Sequence, residues 1–324
     1  MTAQQRVLLY LKGMAMGAAD VVPGVSGGTI AFISGIYEEL LASIKAIGPH
    51  TLTTLRKEGL AAAWRQINGT FLVTLLAGIG TSVILLVRPI TWALEHEPVL
   101  IWSFFFGLVF ASVYICGRKV RRWNVAPVVG FLVGTAAAGL IAFLGVATAP
   151  DSYLFYLMAG AVAICAMILP GISGSFILLL MGAYGPVMNA IKTFDLGLIA
   201  VFGAGCVLGL MGFSRVLSWM FARFHDLTTA TLTGFLLGSL VIIWPWKQVI
   251  SVRESSHGLE PLLRENVLPG DYATITDAER LLGITDKPAH VAGAVALMIG
   301  GAALLVFLEW FAARHHEAKA DATL

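Results

Sequence analysis

Apolar stretches too long for a soluble core constrain this chain most. Asn68–Val87, Val99–Cys116, Val125–Ala147, Leu196–Ser214, Leu227–Trp244 and Ala289–Leu308 each reach the ~17–25 residues that take a helix across a hydrocarbon core. Two further apolar stretches are broken in the middle. Lys12 and Lys45 bracket 32 residues, with Pro23, Gly24, Val25, Ser26, Gly27 and Gly28 at their centre. Two full crossings need roughly 40 residues and one needs about 20. Residues 13–44 therefore read as a re-entrant hairpin that enters, breaks near the midplane and returns. Gly13–Val22 would span ~15 Å as a helix, about half the core. The second stretch, 152–191, carries Pro170, Gly171, Ile172, Ser173 and Gly174 in the same role. It is longer, so a re-entrant hairpin and two short spans both remain open.

The composition agrees. Apolar residues make up 58% and charged residues 12%, about half the charge of a soluble chain. The 35 glycines suit closely packed membrane helices. A formal net charge of +2 gives no reason to expect nucleic acid. Cys116, Cys165 and Cys206 lie in or beside apolar runs and read as packing residues.

The broken stretches repeat one another. Adding 147 to Pro23, Gly24, Ser26, Gly27, Ile30, Gly35, Tyr37, Ile44 and Lys45 gives Pro170, Gly171, Ser173, Gly174, Ile177, Gly182, Tyr184, Ile191 and Lys192. A second block repeats at 127, where Gly78, Arg88, Trp92, Gly107 and Ser112 match Gly205, Arg215, Trp219, Gly234 and Ser239. The chain thus reads as an all-α integral membrane protein of two repeats, 1–150 and 151–324. Each is a re-entrant helical hairpin followed by three transmembrane helices. An odd number of crossings makes the repeats inverted, a transporter pattern with its site where the broken elements meet. Basic residues orient it. With the amino terminus inside, 14 Lys and Arg fall inside and 7 outside, five of the seven in the loop 247–287. Both termini are then cytoplasmic.

The breaks carry the candidate chemistry. Proline ends the entering helix, glycines permit the turn, and Ser26 or Ser173 can cap the helix that follows. Each tip presents N–H groups and hydroxyls at low dielectric, which suits an anion. The candidate phosphate-binding residues are Gly24, Ser26, Gly27, Gly28 and Thr29 on the first tip, and Gly171, Ser173, Gly174 and Ser175 on the second. Asp20 lies three residues before Pro23, where a carboxylate costs about 2.5–3.5 kcal/mol in a bilayer. It reads as a protonatable coupling residue or as a cap on loop amides. Glu38 and Glu39 read as snorkelling to the surface or as a gate. Arg88 and Arg215 end equivalent spans, each four residues before a tryptophan. They read as interfacial anchors or as phosphate forks. No histidine spacing suggests a metal, and no nucleophile–base signature suggests catalysis.

One family shares these motifs. Gly17 to Thr29, then Gly35 to Glu39, and Leu169 to Ser175 resemble the PopT-type bacterial polyprenyl-phosphate translocases, once catalogued as a domain of unknown function. The likeness runs from about Lys12 to Trp310. It implies a flippase that returns undecaprenyl phosphate from the outer to the inner leaflet of the plasma membrane, supplying the carrier lipid for peptidoglycan. The implied partners are this lipid substrate and membrane lipids. No cofactor is implied, and a homodimer is compatible with the pattern. The residues themselves support an anion-binding transporter. An intramembrane polyprenyl-diphosphate phosphatase and a carrier of a small soluble anion stay open as alternatives.

Overall fold

The first helix is set by its ends. Thr2 and Gln5 form a capping box that starts α1 at Ala3, and the chain turns extended at Val22. The helix Ala3–Val21 therefore begins ten residues before Gly13, where the apolar run alone placed it. The structure, a computed structural model, describes residues 1–22, 25–150, 152–255 and 258–321. Pro23, Gly24 and His257 lie outside the described residues.

After α1 come α2 (Gly27–Ile33), α3 (Tyr37–Ala46), α4 (Pro49–Glu58), α5 (Leu60–Gln66), α6 (Gly69–His96), α7 (Pro98–Gly117) and α8 (Val125–Ile141). The second half has α9 (Tyr153–Ile168), α10 (Gly174–Leu180), α11 (Tyr184–Thr193), α12 (Leu196–Arg223) and α13 (His225–Ser239). The strands β1 (Lys247–Ser255) and β2 (Gly258–Asn266) follow, then α14 (Pro269–Tyr272), α15 (Asp277–Leu281) and α16 (Val291–Asp321). Among the described residues three helices, α6, α7 and α12, are long and apolar enough to cross a membrane, or four if the pair α10 and α11, bent by 107°, counts as one. Two of the expected spans are shorter helices: α8 stops at Ile141 and α13 at Ser239. The chain is a mainly helical, multi-pass type of membrane protein with little strand.

The element bounds repeat as the residues do. Shifting α2 and α3 by 147 gives the bounds of α10 and α11, and shifting α6 by 127 gives those of α12. The contacts repeat too. A Cβ on Gly78 would strike the carbonyl of Tyr10, and one on Gly205 would strike that of Leu157. Gly13 faces the carbonyl of Leu75, and Gly160 that of Phe202. So α1 packs on α6 as α9 packs on α12, with backbones close enough that only glycine fits. The turns share a backbone state: Gly35 has φ +74° and Gly182 φ +70°, the left-handed region glycine enters freely.

The chain divides into two compact units. The first is Met1–Thr91 with Val113–Ser239, and the second is Trp92–Ser112 with Leu240–Leu324. They do not coincide with the sequence halves, which are defined by repetition rather than compactness. In the first unit α8 packs on α13, with Gly134 against the Thr231 carbonyl and Gly234 against that of Phe131. In the second, α16 packs on α7 through Gly301 against Phe104 and Gly107 against Met298. These two contacts are equivalent when α8 and α16 are related by an offset of 167. The last helix of each repeat thus packs on the middle helix of the other.

The second unit also holds the folded loop 247–287. β1 and β2 pair antiparallel, with Lys247 opposite Asn266 and Val249 opposite Arg264. Val99, Trp246, Tyr272 and Ala294 form its core. Glu279 is buried; it meets Lys287 at 2.8 Å through both oxygens and accepts the N–H groups of Val249 and Thr276.

Candidate functional site

The two breaks meet. Ser26 begins α2 as its N-cap, and its Oγ accepts the Gly28 N–H at 3.1 Å. The same hydroxyl donates to the Met167 carbonyl at 2.7 Å, on the second hairpin. Thr29 Oγ1 accepts the Gly171 N–H at 2.9 Å, and Tyr37 OH donates to the Ile168 carbonyl at 3.2 Å. Gly28 lies so close to the Ile168 carbonyl oxygen that any Cβ would collide. Gly171 needs its φ of +83° to present that N–H. The bonds of Gly28, Gly171 and Tyr37 are buried, so each leaves a polar group stranded if its partner goes.

Around this junction lies a cavity of about 110 Å³, lined by Asp20, Val25, Ser26, Met167, Ser173, Gly174 and Ser175. A water needs roughly 10–15 Å³ of such space, so a small polyatomic headgroup has room.

The two tips differ in what they leave unused. On the first, Asp20 Oδ1 accepts the Gly27 N–H at 2.6 Å, Ser26 Oγ takes that of Gly28, and the Ser26 carbonyl takes that of Thr29. Of the two readings of Asp20, capping loop amides is the one its geometry displays. On the second tip, methionine stands where Asp20 would repeat. Ser173 makes no capping bond to α10, contrary to the expectation for both serines. Its Oγ instead lies 2.9 Å from Ser175 Oγ. Ser173, Gly174 and Ser175, at the start of α10, line the cavity.

The remaining candidates lie elsewhere. Gly24 is outside the described residues. Thr29, Gly28 and Gly171 join the tips rather than line the cavity. Arg215 donates to the Met211 carbonyl at 2.5 Å and to the Ile47 carbonyl at 3.4 Å, while Arg88 is exposed; neither reaches the cavity. Glu39 accepts from Asn68 at 2.9 Å, and Glu38 lies 3.4 Å from His225.

Two lysines escaped the sequence reading. Lys12 donates to the Ser34 carbonyl at 2.7 Å, and Lys119 donates to those of Phe32 and Ile33 at 3.2 Å. Both ammonium groups meet the carbonyl end of α2, where a cation is favoured. The second repeat fills that place with a backbone bond from Ala147 to Leu180. Lys12 was legible as a break in an apolar run, but Lys119 lies 86 residues from Ile33 and had no local signal.

A family model described as VCA0040-like, undecaprenyl phosphate translocase-like, matches residues 16–261. A polyprenyl-phosphate transporter of Vibrio cholerae is 47% identical over 304 residues, 94% of this chain and 96% of that protein. A polyprenyl-phosphate transporter of Staphylococcus aureus is 30% identical over 255 residues, 72% of this chain and 85% of that protein. No solved structure matches the chain.

Proposed function

Because this chain belongs to the undecaprenyl phosphate translocase-like family, we propose that it carries a polyprenyl phosphate from the outer to the inner leaflet of a bacterial plasma membrane. The observation that carries this reading is a cavity at the junction of the two broken hairpins, with Asp20, Ser26, Ser173 and Ser175 on its wall. The Ser173–Ser175 hydroxyl pair there has a proton to donate to a phosphate oxygen, and the isoprenoid tail stays in lipid through a lateral opening. The two halves act as inverted repeats, 1–150 and 151–324, with both termini cytoplasmic. The helix bounds that recur at offsets of 147 and 127 support that arrangement.

Asp20 links the site to protons. As a carboxylate it holds the Gly27 N–H and repels an entering phosphate. As a carboxylic acid it donates a hydrogen bond to the phosphate instead. Inward movement of a negative headgroup is opposed by a positive-outside potential, by ~2.3 kcal/mol per charge per 100 mV. A proton carried on Asp20 offsets one charge. Arg88 and Arg215 contact the headgroup at the two faces, and Glu38 and Glu39 gate the inner one. Returned carrier lipid then serves peptidoglycan assembly.

The test is direction-resolved flipping of undecaprenyl phosphate in proteoliposomes. The wild-type protein moves the lipid, and Ser173→Ala with Ser175→Ala together slow it at least tenfold while the protein stays folded. A folded double variant that flips at the wild-type rate removes the cavity from the pathway.

A further inference from the structure

The folded loop 247–287 places two cations together with no salt bridge to either among the described residues. Lys247 and Asn266 are opposite one another across the hairpin, as are Val249 and Arg264. Side chains two apart share a strand face, so Lys247 and Arg264 are diagonal neighbours on one face, roughly 7–8 Å apart at the backbone. Lys247 lies 5.2 Å from the centre of the Trp102 ring and donates to the Ile242 carbonyl. The nearby carboxylate, Glu279, is already taken: Lys287 binds both of its oxygens, and two backbone N–H groups complete it. Among the described residues no ion pair reaches Lys247 or Arg264.

The surroundings point to a headgroup. Trp102, Trp244 and Trp246 gather at this end of α7, and the Trp244 and Trp246 indoles donate to the Val267 and Ala289 carbonyls at 2.9 Å. Such a tryptophan cluster marks the headgroup level of a bilayer. Basic residues are disfavoured on the outer face by the same charge rule that orients the chain. Two cations at that level with no ion pair among the described residues, one over an indole, match a phosphate monoester of charge about −1.5 to −2.

We propose that Lys247 and Arg264, on one face of the β1–β2 hairpin beside Trp102, form a capture site for the phosphate group of a polyprenyl phosphate in the outer leaflet. This rests on the transport reading above. Burial, with Arg264 close by, pulls the Lys247 ammonium down to about 8. A phosphate bound between them restores its charge.

The test uses full-length protein in proteoliposomes of one orientation, with undecaprenyl phosphate supplied to the loop-side leaflet. Lys247→Gln or Arg264→Gln lowers the initial rate about tenfold at limiting lipid, the loss expected for one charged hydrogen bond. The maximal rate at saturating lipid is unchanged. Lys247→Arg restores loading, and Arg280→Gln in the same loop has no effect. Tryptophan fluorescence gives a second readout that needs no transport: undecaprenyl phosphate shifts it in the wild type, and undecaprenol does not. A folded Lys247→Gln, Arg264→Gln double variant that loads and shifts like the wild type overturns the proposal. So does a fluorescence response to inorganic phosphate but not to the lipid, which would make this a soluble-anion site. A wild type that shows the lipid-specific shift but flips nothing sinks the transport reading and leaves the capture site standing.

Discussion

The Asp20 carboxylate accepts the Gly27 N–H at 2.6 Å, at the start of α2. The second hairpin, with Met167 in the equivalent position, has no such internal anion. The cavity therefore has a carboxylate at one tip and a methionine in the equivalent place at the other.

Replacing Asp20 with asparagine separates the cap from the proton. The amide oxygen still accepts the Gly27 N–H, so Asp20→Asn folds with a thermal midpoint close to the wild type. Flipping loses its response to an imposed pH gradient, because an amide takes up no proton in this range. The check is transport at several gradients; a variant that keeps the wild-type response rules out proton coupling through Asp20.

The two equivalent serines separate stability from binding. Ser26 caps Gly28 and bridges to Met167, so Ser26→Ala costs about 1–3 kcal/mol by stranding buried groups. Among the described residues the Ser173 hydroxyl bonds only to that of Ser175, so Ser173→Ala costs under ~1 kcal/mol. Its effect falls instead on affinity for undecaprenyl phosphate. Equal unfolding shifts for the two variants would contradict this asymmetry.

Helix packing in the repeats rests on Gly78 and Gly205. A methyl at either must displace backbone, so Gly78→Ala and Gly205→Ala each destabilise by about 1–3 kcal/mol. Gly80, on the same helix α6, has open space around it, and Gly80→Ala stabilises by roughly 0.5–1 kcal/mol. Thermal unfolding in detergent reads all three, and the idea fails if Gly80→Ala behaves like Gly78→Ala.

The loop 247–287 should melt in acid by itself. Burial opposes ionisation of Glu279, but Lys287 and the N–H groups of Val249 and Thr276 outweigh it and hold the carboxyl below its usual range. A carboxyl held low contributes stability above its unfolded pKa, about 4.3, and that stability fades as pH falls through the folded value. Glu279→Gln leaves the Lys287 ammonium buried without its counter-charge, at about 3–5 kcal/mol. Near-ultraviolet dichroism of Trp244 and Trp246 follows the loop. An Glu279→Gln protein with the wild-type signal and midpoint at neutral pH would show that the ion pair is dispensable.

The sequence by itself determined the membrane class, the two breaks and the pairing of residues across the repeats. Those features are local: apolar length decides whether a helix can span, and proline and glycine decide where it stops. They were therefore legible at Pro170, Gly171 and Gly182, and the offsets of 147 and 127 reappear in the helix bounds. Tertiary structure alone decided which groups meet. That Ser26 would spend its proton on Met167 and Thr29 would hold Gly171 depends on 141- and 142-residue separations. Ser173 looked identical to Ser26 in sequence, yet its hydroxyl meets Ser175 on its own hairpin rather than a carbonyl of the other. The exchange of α8 and α16 was hidden because a small residue every fourth position fits any close helix. The ion pair of Glu279 and Lys287 was hidden because charge in a polar loop ordinarily faces water, and only the packing of β1 and α15 takes both out of it.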